Sequence, residues 1–78
     1  MNFVVYILYS EKLQRYYVGQ TSELEDRLNR HNSGQTNYTS KGIPWNLVKT
    51  YACIDRKEAV NLERKIKKRG IKRYLLEH

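Results

Sequence analysis

Cysteine is nearly absent from this chain. Cys53 is the only one, which excludes an intramolecular disulfide and a cysteine-built zinc site and fits a reducing cytoplasm. It reads as a small buried hydrophobe. No apolar run approaches the length of a membrane span, and the N-terminus lacks the basic, apolar, small-residue order of a signal peptide. The expectation is a soluble, cytoplasmic protein without a membrane partner. Acidic residues are also scarce, with 8 Asp and Glu against 15 Lys and Arg. Internal repeats and low-complexity tracts are missing. A length of 78 residues leaves room for one domain, near the lower limit for folding on a single hydrophobic core. That domain is expected over residues 1–75. Leu76-Glu77-His78 looks like the start of an expression tag, so Glu77 and His78 take no part in the functional argument.

What is present suits a polyanion. The formal charge is +7, and seven tyrosines and one tryptophan offer surfaces to nucleotides, so nucleic acid is the expected partner. Phe3 to Tyr9 is β-branched and aromatic on both alternating faces and reads as a strand covered on both sides. Ser10 to Arg15 is short and polar, and Tyr16 to Gly19 resumes the β pattern, so an antiparallel hairpin is expected. If its paired positions sum to an odd number, Tyr6 and Tyr17 share a face at a diagonal offset; an even sum separates them.

Ser22 with Glu25 forms a capping box opening a helix to about Asn32, closed by Gly34. Leu24 and Leu28 point inward on this helix. His31 lies close to their stripe and Arg27 on its border, so both heads can emerge at the rim of the core. Ser33 to Pro44 is a polar loop longer than most connections, holding Tyr38 and Lys41, and ordered loops of that length are more often functional than idle. Trp45 to Cys53 reads as a third strand. Asp55 with Glu58 caps a second helix whose stripe is Ala59, Leu62 and Ile66, with Glu63 inside that arc. The fold class is thus α/β of the α+β type: a three-stranded antiparallel sheet flanked by helices, in the order β-β-α-β-α.

Glu63 carries the strongest chemical argument. A carboxylate among Ala59, Val60 and Ile66 costs stability unless it is paired or bound to metal. A lone carboxylate completed by water and phosphate oxygens suits Mg²⁺, with Mn²⁺ as a substitute, far better than zinc. The plainer alternative is an ion pair with Arg27 or a lysine. Arg27 can hold two phosphate oxygens with its fork, or else be a solvated helix arginine beside Glu23. Tyr6, Tyr17 and His31 can move a proton, although half-buried tyrosines and a lone histidine are commonly structural. Tyr38, Lys41, Lys65, Lys67, Lys68, Arg69, Lys72 and Arg73 are candidate nucleic-acid contacts that position a duplex without reading its sequence.

Taken in order, Val4-Val5-Tyr6, Tyr17-Val18-Gly19, Arg27 and Glu63 resemble the GIY-YIG endonuclease family. The likeness runs from about Phe3 to Arg69 and is closest to small stand-alone members and the N-terminal nuclease domain of the bacterial repair excinuclease. The first glycine of the family triplet is Val4 here. The resemblance implies the fold already read and a Mg²⁺-dependent hydrolysis of DNA phosphodiesters with low sequence specificity, in repair or recombination. Tyr6, Tyr17, Arg27 and His31 would be catalytic and Glu63 the metal ligand, with duplex or branched DNA as substrate. A repair protein would be a further partner. The alternatives are a DNA-binding module of the same fold with little cleavage, or a subunit that delivers DNA to a repair complex.

Overall fold

A computed structural model describes residues 2–35 and 38–78, so the part of the expected loop at residues 36 and 37 lies outside the described residues. Its element order is β1 (Phe3–Ser10), β2 (Arg15–Thr21), α1 (Leu24–Asn32), a 3₁₀ turn (Ser40–Gly42), β3 (Asn46–Cys53), α2 (Arg56–Arg69) and α3 (Ile71–Glu77). The sheet has the order β2-β1-β3 and both pairings are antiparallel. β1 is therefore central. Its side chains at Val5, Tyr6, Ile7 and Leu8 are all fully buried, as a strand covered on both faces requires.

The alternation of β1 sends its residues to two different cores. Val5 and Ile7, with Val18 and Cys53, pack against Ala59 and Ile66 of α2 and Tyr74 of α3. Tyr6 and Leu8 face the other way, against Trp45, Leu24, Leu28, Ile43 and Tyr17. Full burial of a Val, Leu or Ile side chain stabilises by roughly 1.5–3 kcal/mol, so these few residues supply much of the cohesion of a chain this short. Cys53 is buried and unpaired, and burial pushes its thiol up, in keeping with an inert hydrophobe.

The hairpin register places Tyr6 opposite Gly19 and Leu8 opposite Tyr17. These sums are odd, so Tyr6 and Tyr17 do share a face. Val4 pairs regularly with Thr21 and Ala52, and its departure from the family glycine leaves the strand undistorted; the register shift on the β3 side falls between Ile7 and Leu8.

One local expectation is corrected. Ser22 and Glu25 make no capping box: Thr21, at the end of β2, accepts from the Glu23 backbone N–H at 2.9 Å, so the hydroxyl that caps the turn comes from the strand one residue earlier. The structure also adds a helix beyond Gly70. That glycine, at φ +96, is a conformation that L side chains rarely adopt; it breaks the helix direction, and α3 follows at once with Tyr74 buried. The second cap holds, since Asp55 Oδ1 accepts from the Glu58 N–H at 2.9 Å. Gly34, at φ +83, follows the end of α1 as read.

Candidate active site

The site grows from Gly19. A Cβ built there would lie 2.5 Å from the Tyr6 hydroxyl oxygen, so the glycine of Tyr17-Val18-Gly19 is the residue that lets the Tyr6 phenol cross beneath β2. The Tyr6 hydroxyl then reaches His31 Nε2 at 3.0 Å. His31 Nδ1 in turn meets Thr39 Oγ1 at 2.8 Å. Tyr6, His31 and Thr39 form a buried chain, with exposures of 0 %, 1 % and 0 %.

The sequence reading put His31 at the rim of the core; the structure puts it inside. The α1 stripe is completed by a loop folded over it. Asn32 holds that loop with two bonds, its Oδ1 accepting from the Trp45 N–H at 2.6 Å and its Nδ2 donating to the Trp45 carbonyl at 3.1 Å. Trp45 Nε1–H donates to the Thr39 carbonyl at 2.6 Å, which fixes Thr39 over His31.

Tyr17 lies between this chain and solvent. Its ring is 5.0 Å from His31 in an edge-on arrangement, 6.4 Å from Tyr6 and 5.8 Å from Tyr38. Burial pushes the Tyr6 phenol up to about 12, with Tyr17 adding to the effect, while the Arg27 guanidinium beside it pulls back through its charge and as a hydrogen-bond donor. Burial likewise raises Tyr17, helped by the Glu63 charge and opposed by Lys67 and Arg27. His31 is lowered, first by burial and then by Arg27. It is therefore neutral near pH 7, with one ring nitrogen donating and the other accepting.

Arg27 and Glu63, from different helices, thus act on the same two phenols. Among the described residues no carboxylate pairs with Arg27, and the neighbouring Asp26 is engaged with Arg30. Glu63 is partly buried: its side chain is 21 % exposed and pairs with Lys67 at 2.9 Å, a lysine pair being the plainer alternative of the sequence reading. No group of three or more His, Cys, Asp or Glu able to hold a metal occurs among the described residues. A cage of protein ligands is thus not available, whereas a single carboxylate open to water and phosphate fits Mg²⁺, which keeps most of its hydration shell.

The candidate nucleic-acid contacts divide. Tyr38 and Lys67 adjoin Tyr17, lining one hollow with it. Lys41 borders Tyr38 on another side, and Lys72 on a third. Lys65, Lys68 and Arg69 line a separate hollow. Arg69 pairs through two nitrogens with the Glu77 carboxylate, at 2.8 and 2.5 Å, and Arg73 lies 4.0 Å from it. Thr39 was missed by the sequence reading. It sits in a loop without periodicity, where only the loop's length drew notice.

No helix among the described residues is long and apolar enough to cross a membrane. The profile of the GIY-YIG catalytic domain matches residues 2–74. UPF0213 protein BH0048 of Halalkalibacterium halodurans is 37% identical over 68 residues, covering 86% of this chain and 71% of that protein. The solution NMR structure of the UPF0213 protein BH0048 from Bacillus halodurans superposes with a TM-score of 0.61 at 32% identity, over 99% of this chain and 84% of that one. The hairpin that joins the two tyrosines, the helix that brings Arg27 and the second helix that brings Glu63 are the frame of a nuclease-like domain, and the chain belongs to the GIY-YIG family.

Proposed function

We propose that this chain is a divalent-metal-dependent endonuclease that hydrolyses DNA phosphodiesters with little sequence preference. The observation that carries the reading is the convergence of Arg27 and Glu63, opposite in charge and from separate helices, on Tyr6 and Tyr17. Arg27, free of carboxylate partners among the described residues, would clamp two oxygens of the scissile phosphate and stabilise the charge that develops there. Glu63 would hold Mg²⁺ or Mn²⁺, which supplies Lewis-acid polarisation of the phosphate when bound.

Tyr17 is the phenol in contact with the open hollow, and it would orient the attacking water. Tyr6 cannot meet bulk water in this arrangement. Its hydroxyl donating to His31 Nε2, with His31 Nδ1–H donating to Thr39 Oγ1, would instead hold the site's geometry and offer a path for the released proton inward to neutral His31. The +7 charge supports binding through phosphates, whose affinity falls steeply with salt.

A DNA-binding module without cleavage is the second reading, favoured by the Glu63–Lys67 pair, which occupies the carboxylate with a lysine. Nicking of supercoiled DNA separates the two. The nuclease reading expects nicking in Mg²⁺, none in excess chelator, and a rate lower by on the order of 10²- to 10³-fold for Arg27→Ala, the size of losing one charge-stabilising donor. Undiminished nicking by that variant, or in chelator, would sink it.

A further inference from the structure

We propose that the cleft between the β1–β2 turn and the loop preceding β3 is a subsite for an unpaired nucleotide of single-stranded DNA, adjoining the candidate active site on its Tyr17 side. The inference rests on the nuclease reading and deepens it by naming the strand state that the site accepts.

The cleft holds about 450 Å³, within the range of roughly 300–1,000 Å³ of small-molecule sites. Three cations, Lys12, Arg15 and Lys41, stand on its walls, and among the described residues no carboxylate does. Tyr38 is 77 % exposed, far more than a ring kept for packing needs, and Tyr16 lines the cleft beside it. The floor is apolar. Trp45 and Leu13 both approach Gly42, where a Cβ would come within 2.6 Å of the indole and 3.0 Å of Leu13 Cδ1, so the absence of a side chain allows the indole to pack against the turn. Trp45 Nε1–H is already spent on the Thr39 carbonyl, leaving the indole no free polar group with which to bind.

Cations on the walls with tyrosine rings between them match a phosphodiester that carries a base, since every base has a face that stacks on an aromatic ring. A base inside a duplex cannot present that face; it shows only its edges in the grooves. An unpaired base can. The cleft also leads to the candidate site: a neighbouring hollow shares Tyr16 and Tyr38 with it and adds Tyr17 and Lys67. A strand crossing Tyr38 would place one base in the cleft and the next phosphate beside Tyr17.

The chain's single tryptophan makes the test direct, because it forms the cleft's floor. The full chain in chelator is titrated with tetrathymidylate and the Trp45 fluorescence followed. Saturable quenching is expected. Tyr38→Ala is expected to weaken it by roughly 5- to 100-fold, the size of one base–aromatic stack, while Tyr38→Phe keeps parental affinity. Replacing Lys12 and Lys41 together by alanine is expected to flatten the salt dependence by roughly 0.7 in slope per lost phosphate contact. Absence of saturable quenching, or equal affinity for Tyr38→Ala and parent, overturns the subsite. A parent that nicks DNA without quenching overturns the subsite alone, and one that quenches without nicking supports the subsite while removing the nuclease reading.

Discussion

Along one β-strand, Val5 and Ile7 turn toward Ala59, Ile66 and Tyr74, while Tyr6 and Leu8, one step away, turn toward Trp45 and the buried pair His31 and Thr39. The first face is apolar and closed by two helices. The second is aromatic and hydrogen-bonded, closed by a short helix and a loop. Apolar packing tolerates loss of a methylene at the cost of a cavity, but a buried polar chain must have every member satisfied. The site face is thus held by directional bonds that specify geometry, and the helical face supplies the stability that such a face does not.

Mutations at matched depth sharpen the contrast. Ile66→Ala on the helical face should cost about 2–5 kcal/mol in urea denaturation, the usual range for emptying a fully buried Ile site, while the rate of DNA cleavage per folded molecule stays near parental. A smaller loss, about 1–3 kcal/mol, is expected for Gly19→Ala, because the new methyl must push aside the Tyr6 hydroxyl. Cleavage should suffer more than stability in that variant, the reverse of Ile66→Ala. If both substitutions reduce stability and cleavage in the same proportion, the two faces are not functionally distinct.

The smallest effect concerns pH. His31 is lowered in the folded chain relative to about 6.5 when unfolded, so the unfolded state binds the proton more readily. Its contribution is fully present above about pH 6.5 and is lost as pH falls from there through the folded value. Melting temperature should therefore drop on acidification from pH 7.5 to 5.5 in the parent and much less in His31→Gln. Parallel curves would mean that burial of the neutral ring is not what titrates.

How much of this could be read from residues alone follows the same division. Runs of β-branched and aromatic residues give the strands, and a period of 3.6 with the Asp55 cap gives α2; the register parity that joins Tyr6 to Tyr17 needs only the hairpin. α3 escaped because its short sequence has a single buried residue, Tyr74. Thr39 escaped for a different reason. Its position is set by Asn32 holding Trp45 and Trp45 holding Thr39, a relay of hydrogen bonds without any sequence period. Glu63 was placed on the right helix and is partly buried there, but which of the open partners it takes is set by its neighbour on the same helix. Lys67, one turn on, is its partner.

On this account the aromatic face performs proton chemistry beyond holding shape. Tyr17→Phe tests that most directly, since the ring and its contacts with His31 and Tyr38 remain and only the hydroxyl is removed. Single-turnover cleavage and DNA affinity, measured on the same preparation, should separate: a fall in rate of at least about tenfold, with affinity unchanged within about twofold. Equal losses in rate and affinity, or no loss in rate, would contradict the claim.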